Sequence, residues 1–367
     1  MENSWLKLKI DSIKAYFLNK NNSPTLKYID KSKKIDKSQH IHHGLSVCDA
    51  KEIVEMILDK KMIEFKIDAQ TAVDERIKYF KERLFTDMNN LTEPELNRLK
   101  EPDAQYALRE AAFISSKKTN KELINTLGKL VIGRIKNHQI ETEDLKNIVF
   151  SEAIKTIDKL TPNELKIITL CYILSNTFRK GIKTIEQFNE YLNNSIKPFI
   201  NFKNTDAEFK HIDYAGCGSI SMGSWSITNS FRESYSLIFQ KPFTEEEISK
   251  IILDQHLKTK IFVKKLETDG YIIPVTEKKV LKDFLEKEGL EEKKVTEVVN
   301  ALDQHLMQET DIEKLLREKT EIGDELLKII NDTPINRLFL TSVGIAIAAT
   351  YYENITGEKL NIDLWIN

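Results

Sequence analysis

The sequence predicts a mainly α-helical fold, in which an N-terminal array of helices precedes an α-rich C-terminal domain with a small β element. Two observations lead to this prediction. Only 8 prolines and 12 glycines occur in 367 residues, so few segments are expected to be irregular. From residue 44 onward, apolar residues recur at spacings of three, four and seven. This spacing is typical of helices with one buried face.

Residues 1–43 differ from the rest and are predicted to form a basic arm or linker. They contain nine lysines against four acidic residues and show little apolar periodicity. Such an arm could contact an anionic partner or remain a solvated tail. His40, His42 and His43 are three metal-ligating side chains in this arm, but no cysteine or acidic cluster of matching spacing follows. We therefore predict no metal site, and nothing in the chain indicates a cofactor.

Residues 44–200 are predicted to form the helical array. The helix over 44–87 has a wide apolar face, which suggests self-association. A later helix, starting after Thr161, is apolar nearly all round and is predicted to be central and buried. Three helix starts carry the capping-box pattern, Thr92 with Glu95, Thr161 with Glu164 and Thr244 with Glu247.

Residues 201–367 are predicted to form the α-rich domain. The stretch HIDYAGCGSISMGSWSITNSF, here called the glycine island (211–231), holds three of the twelve glycines. Its extended pieces near 211–227 are expected to pair with a terminal strand at 360–366, where apolar and polar residues alternate. Helices are expected to start at Asn229 and Thr244.

The charge and the cysteine content indicate which cellular compartment and which classes of partner to expect. The net charge is −2, so no global attraction to nucleic acid or membrane is expected. The three cysteines lie far apart and form no CxxC pair, which fits reduced thiols. The most apolar segment, 338–352, is shorter than the roughly 20 residues of a membrane-spanning helix, and no signal peptide is recognisable. We expect a cytoplasmic protein that does not enter a membrane.

The glycine island could hold an active site. A cysteine-dependent hydrolase at 211–224 would use Cys217 as the nucleophile, His211 as the base and Asp213 to orient it. If residues 211–215 form a strand, His211 and Asp213 lie on one face of it. Contact with Cys217 then depends on the turn.

The island could instead bind a ligand or be purely structural. Backbone and side-chain groups for a ligand would come from Gly216, Gly218, Ser219 and Trp225. A phosphate loop does not fit, because the glycines miss the G-x-G-x-x-G pattern and no Lys-Ser/Thr pair follows. The interpretation that we favour is a β turn in which Trp225 covers the ribbon against a helix.

The segment 244–285 has the order of a winged helix, with two helices followed by a hairpin-like stretch. Its candidate nucleic-acid contacts are Lys258, Lys260, Lys264 and Lys265. The segment contains as many acidic residues as lysines, so its net field does not favour phosphate. Use of this segment for protein contact is the preferred interpretation.

Four ordered blocks give the chain a family resemblance. They are DAQYALREAAFISSKKTNKELINTLGKLVIGR, EAIKTIDKLTPNELKIITLCYIL, YAGCGSISMGS and LTSVGIAIAATYYENITGEKLNIDLWIN. Over residues 45–367 the chain resembles the uncharacterised bacterial Lpo/Vpar locus-tag family. The resemblance carries over no activity and no catalytic residues. Such proteins are similar to proteins found beside mobile-element and phage-defence genes.

The sequence therefore favours a non-catalytic bacterial interaction, sensor or adaptor protein, in phage defence, with a protein partner or self-association. An enzyme or ligand-binding site at 211–224 is the first alternative. Nucleic-acid binding through 244–285 is the second, and the balanced charge disfavours it.

Overall fold

The computed structural model describes residues 47–136, 144–203, 206–252, 254–266, 268–275 and 277–362. For residues 47–65 it describes the backbone alone. The predicted basic arm over 1–43, with His40, His42 and His43, lies outside the described residues. So do the last four residues of the predicted terminal strand.

The first part of the chain is a series of helices, as predicted. It begins with α1 (Val47–Met88), which is 42 residues long. The next helices are α2 (Glu93–Asn97), α3 (Pro102–Lys117), α4 (Lys121–Lys136), α5 (Leu145–Thr156) and α6 (Pro162–Asn176). Helices α2 and α6 begin with the capping boxes predicted at Thr92 and Thr161.

The second part is also mainly helical. Its elements are α7 (Ile185–Tyr191), α8 (Lys197–Ile200), α9 (Asp206–Tyr214), β1 (Gly218–Ile220), α10 (Ile227–Ser234), α11 (Glu245–Ile251), α12 (Gln255–Ile261), β2 (Val263–Lys264), β3 (Tyr271–Ile272), α13 (Lys278–Lys287), α14 (Glu292–His305), α15 (Glu309–Lys319), α16 (Gly323–Asp332), β4 (Leu338–Leu340) and α17 (Ser342–Thr356). The start predicted at Thr244 is confirmed. The start predicted at Asn229 is wrong, because the Ser226 side chain caps α10 three residues earlier.

Helix α6 lies at the centre of the fold, which confirms the prediction of a buried helix. Its residues from Ile167 to Leu174 are all buried. The Cys171 thiol donates to the Leu338 carbonyl over 3.2 Å, and the Thr169 hydroxyl donates to the Ala348 carbonyl over 3.4 Å. These bonds join α6 to β4 and α17, so the C-terminal end of the chain completes the core of the first half.

Two hydrophobic clusters divide the described residues. The larger draws buried side chains from Phe80 to Phe239 and again from Ile312 to Tyr352. The smaller lies between Phe243 and Leu302. Buried residues on both sides of residue 200 belong to the larger cluster, and the predicted division there remains a prediction.

The smaller cluster belongs to an inserted unit, residues 241–306, whose entering and leaving chains run side by side. Gln240 and Leu306 form an antiparallel bridge, and the Lys241 amide donates to the His305 carbonyl over 2.7 Å. The Gln240 side chain is buried and exchanges two hydrogen bonds with the Ile273 backbone, of 3.0 and 2.9 Å. One amide side chain thereby joins the insertion point to the hairpin of the unit.

The predicted small β element exists, but its predicted partner strand is wrong. Strand β1 pairs antiparallel with β4, with Gly218 opposite Leu340 and Ile220 opposite Leu338. Leu360 to Ile362 form no strand. The sequence LFL at 338–340 directly precedes an apolar helix, so its strand character was hidden in a longer apolar run.

No helix in the described part of the chain is both long and apolar enough to span a membrane.

Candidate functional site

Helix α9 carries two of the predicted catalytic residues, which corrects the predicted strand at 211–215. Phe209 and Ile212 are buried and lie three residues apart, so they form one helical face against the core. His211 and Asp213 are two positions apart and therefore point about 200° apart around the helix. Asp213 is exposed and is not positioned to orient His211.

The carboxylate that contacts His211 is Glu164, which sequence reasoning identified as a helix cap alone. The Nδ1 atom of His211 lies 2.5 Å from the Glu164 Oε1 atom. The other oxygen, Oε2, accepts the Thr161 amide over 2.7 Å. The Glu164 side chain is 2% exposed and the His211 side chain 40%. The two residues are 47 positions apart, so no local pattern could have indicated the pair.

Cys217 is enclosed by backbone rather than presented to a substrate. Its side chain is fully buried. Burial, followed by the negative charge of Glu164, raises the pKa of the thiol to about 12. Its amide donates to the Ile212 carbonyl over 3.1 Å, and its carbonyl accepts the Thr341 amide over 3.0 Å. A thiol in this state is a weak nucleophile, because the thiolate is the reactive form.

The backbone conformation and packing around Cys217 require glycine at positions 216 and 218. Gly216 has φ +82°, which favours glycine, and its carbonyl accepts the Thr341 hydroxyl over 2.7 Å. A Cβ on Gly218 would lie 3.0 Å from the Phe339 carbonyl oxygen. The tight chain reversal and the pairing of β1 with β4 therefore account for both glycines.

A third glycine lies on the other side of this contact. Gly344, near the start of α17, has no room for a side chain, because a Cβ there would overlap the Cys217 carbonyl. The island is thus pressed against the first turn of the last core helix.

Trp225 braces the end of the island. Its amide donates to the Asn336 carbonyl over 2.9 Å, and its half-buried ring packs against the larger cluster. Its indole Nε1 atom is buried without a hydrogen-bond partner. The ring therefore acts as an apolar cover in this arrangement.

Three large apolar side chains at and beside the island are exposed. Tyr214 is 79% exposed, Phe339 is 47% exposed and Met222 is fully exposed. Ser219 is also exposed and lies directly opposite Phe339 in the β1–β4 ribbon. We call Tyr214, Met222 and Phe339 the island face. The spacing of Tyr214 and Met222 in the sequence does not indicate that they are exposed.

The second predicted site, 244–285, folds in the predicted order. Helices α11 and α12 precede the hairpin of β2 and β3, in which Val263 lies opposite Ile272. Phe243 forms a further bridge to Tyr271. One bridge residue ahead of the two helices therefore pairs with the edge of the hairpin.

The four predicted lysine contacts of this unit are not equivalent. Lys265 is buried, and its ammonium donates to the Ile238 and Gln240 carbonyls over 3.0 and 2.6 Å. Lys258 donates to the Ser249 hydroxyl, and Lys260 pairs with Glu288 over 2.5 Å. Lys264 is exposed on β2. Lys265 thus fixes the hairpin to the insertion point and is not available to a phosphate.

A cavity of about 900 Å³ lies away from both candidate sites, between the end of α1, α4, α5 and α17. Its lining mixes four lysines with four carboxylates, and Lys129 is paired with Glu353 over 2.7 Å. This balance of charge selects no class of ligand. In the described ranges, no three His, Cys, Asp or Glu side chains come together as a metal site would require.

Comparison with known proteins places the chain in a family without assigning an activity. No curated protein and no solved structure shows significant similarity to it. A family model matches residues 44–366, which is nearly all of the chain after the predicted arm. The chain belongs to this family, the Vpar-named bacterial family whose ordered blocks it carries.

Proposed function

We propose that this chain is a non-catalytic interaction protein, an adaptor or sensor, that binds a protein partner through the island face. The observation that supports the proposal is the exposure of Tyr214, Met222 and Phe339 beside a buried thiol. Aromatic residues and methionine are enriched at the centres of protein interfaces. Exposed side chains of these types on and beside a braced ribbon are therefore better suited to a protein surface than to a small substrate.

The geometry of the face favours binding without large rearrangement. Phe339 lies in the β1–β4 pair, and the loop that carries Met222 is held on both sides. The Ser221 amide donates to the Arg337 carbonyl over 2.9 Å, and the Trp225 amide donates to Asn336. Little backbone freedom remains to be lost on binding, which reduces the entropic cost of association. The Met222 side chain itself is flexible and can adapt to a partner.

The alternative of a cysteine-dependent hydrolase has less support. The thiol of Cys217 is buried and has a raised pKa, and the carboxylate that contacts His211 belongs to Glu164 and not to Asp213 as predicted. A hydrolase would require an accessible thiolate and a base within hydrogen-bonding reach of it.

The cellular setting of the proposal is the bacterial cytoplasm, with a role in phage defence. Two buried free cysteines, Cys171 and Cys217, fit a reducing compartment. The link to defence rests on the genes beside which similar proteins are found, and it is an association.

Photo-cross-linking from the island face tests the proposed function. A photoreactive phenylalanine analogue replaces Met222 in the full chain, which is expressed in its native host with the neighbouring genes present. The control position is Lys287, exposed at the end of α13. We expect a discrete cross-linked protein band from position 222 and none from position 287. No band from position 222, or the same band from both, would contradict the proposal.

Nucleic-acid binding through 244–285 is a second candidate, favoured by the winged-helix order of α11, α12 and the hairpin. Of its four predicted lysine contacts, Lys264 is exposed, whereas Lys258 and Lys260 would first have to leave Ser249 and Glu288. A duplex-DNA titration at several salt concentrations tests it, with Lys264→Glu as the variant. Binding that weakens steeply with salt and with the substitution would support this candidate, and no salt-dependent binding would exclude it.

A further inference from the structure

Helix α1 extends beyond the packed body of the protein. At about 1.5 Å per residue, its 42 residues span roughly 63 Å. Among its side chains that the structure describes, which begin at residue 66, the first fully buried one is Phe80, and Ala72 and Val73 are half-buried. All six residues from 66 to 71 are exposed. Six consecutive residues point in every direction around a helix, so no part of the described chain covers α1 at this level.

The sequence of the preceding segment is rich in apolar residues. From Val47 to Phe65, 11 of 19 residues are apolar. At helical spacing, Val54, Leu58, Met62 and Phe65 fall within about 80° of one another and form one apolar stripe. An apolar stripe on a helix that extends beyond the packed body is typical of a contact with another protein surface.

The distribution of charge along this segment indicates which protein surface contacts the helix. Residues 47–59 contain four acidic residues and one lysine, whereas residues 60–72 contain three lysines and two acidic residues. An antiparallel pair of two copies places the acidic half of one helix beside the basic half of the other. A parallel pair in register places like charges together, which is unfavourable. Antiparallel helix dipoles also attract.

The position of the body supports the same orientation. The packed body begins near residue 72 in each copy. In an antiparallel pair over 47–72, the two bodies lie at opposite ends of a helix pair about 39 Å long. A parallel pair would bring both bodies to the same end. The antiparallel arrangement is a two-fold, self-complementary contact, the commonest kind in homodimers.

We propose that residues 47–72 of α1 pair antiparallel with the same residues of a second copy, which makes the protein a homodimer. This interaction surface is separate from the island face and does not rest on the proposed function. Loss of dimerisation and loss of partner binding at Met222 can therefore be observed independently.

Charge reversal tests the proposal by light scattering with size exclusion on the full chain. The wild type should elute at twice the 42.6 kDa of one chain. The triple variant Lys60→Glu, Lys61→Glu, Lys66→Glu should dissociate at least about tenfold more readily, because both halves become acidic. Adding Asp49→Lys, Glu52→Lys and Glu55→Lys should restore the dimer, since the halves are again opposite in charge.

The control for this series reverses three exposed lysines of the inserted unit, Lys250, Lys279 and Lys287, and should leave the dimer unchanged. A monomeric wild type would overturn the proposal. So would a six-residue variant that remains as weak as the triple variant, which is the result expected for a parallel pair.

Disulfide trapping gives the orientation independently. In an antiparallel pair the two copies of Cys48 lie near opposite ends, so mild oxidation should not join them. In a Cys48→Ser background, Leu58→Cys lies on the apolar stripe close to the two-fold axis and should form an intermolecular disulfide. Efficient cross-linking of native Cys48 to itself would overturn the antiparallel arrangement.

Discussion

The two sides of the glycine island contrast sharply in what they do. On the inner side, Gly216, Cys217 and Gly218 have the residue types of a catalytic loop, yet their backbone is packed against Thr341 and Gly344. On the outer side, Tyr214 and Met222 have the residue types of a core, yet they are exposed. Glycine and cysteine here serve close packing, while the apolar residues remain available for contact.

The largest effect is expected at Gly344. Gly344→Ala places a methyl group into the Cys217 carbonyl, and this backbone contact can yield only by moving β1 from α17. We expect the free energy of unfolding to fall by about 3 kcal/mol or more, measured by urea denaturation. The matched control is Gly128→Ala in α4, where the nearest atom is a Phe80 ring carbon at 3.9 Å. That change should be neutral or stabilise by up to about 1 kcal/mol. Equal losses at the two positions would contradict the close packing.

The next effect is expected at Glu164, which supports the inner side from α6. Glu164→Ala removes the acceptor for both the Thr161 amide and His211, and should cost about 2 kcal/mol of unfolding free energy. Glu247→Ala is the control, because it removes the corresponding bond of the capping box at Thr244 on a largely exposed helix. Its expected cost is below about 1 kcal/mol. A larger loss of unfolding free energy in Glu247→Ala than in Glu164→Ala would contradict the stabilising role of the buried Glu164 carboxylate.

Cys217 should be stable and unreactive at neutral pH. With a thiol pKa of about 12, only about one molecule in ten thousand carries the thiolate at pH 8. In a Cys48→Ser background, labelling with an aromatic disulfide should be slow and should accelerate about tenfold per pH unit up to pH 10, where an ordinary thiol has already levelled off. A fast reaction at pH 7 that Cys217→Ala abolishes would restore the hydrolase interpretation.

The smallest effect on stability is expected on the outer side. Met222→Ser removes a fully exposed side chain and should change the free energy of unfolding by less than about 0.5 kcal/mol. The same urea series measures it. A loss above about 1 kcal/mol would mean that Met222 is covered in the folded protein, and the island face would then be smaller than described.

Local chemistry could be predicted from the sequence where the determinants are close together in the chain. The capping boxes at Thr92, Thr161 and Thr244 were predictable, because the two residues that form each box lie only three positions apart in the sequence. The buried central helix α6 was predictable from its apolar residues on all sides. Gly357 ends α17 with φ +75°, which is a common way for a helix to end.

Long-range determinants could not be predicted. The pairing of β1 with β4 joins residues more than a hundred positions apart, and the short alternation at 211–215 fits a strand as well as the helix that forms. The contact of His211 with Glu164 and the burial of Lys265 at the Ile238 and Gln240 carbonyls likewise depend on tertiary packing. The residue composition of the island therefore indicated its position in the sequence, but not which of its side chains are exposed to solvent.

The most direct test of the central claim is the yield of the Met222 photo-cross-link in two further backgrounds. Cys217→Ala should leave the yield unchanged, because the thiol lies on the packed side. The double variant Tyr214→Ser, Phe339→Thr should reduce the yield at least about tenfold, with the unfolding midpoint confirming that the chain remains folded. Loss of the cross-link in Cys217→Ala while the double variant retains it would contradict the account.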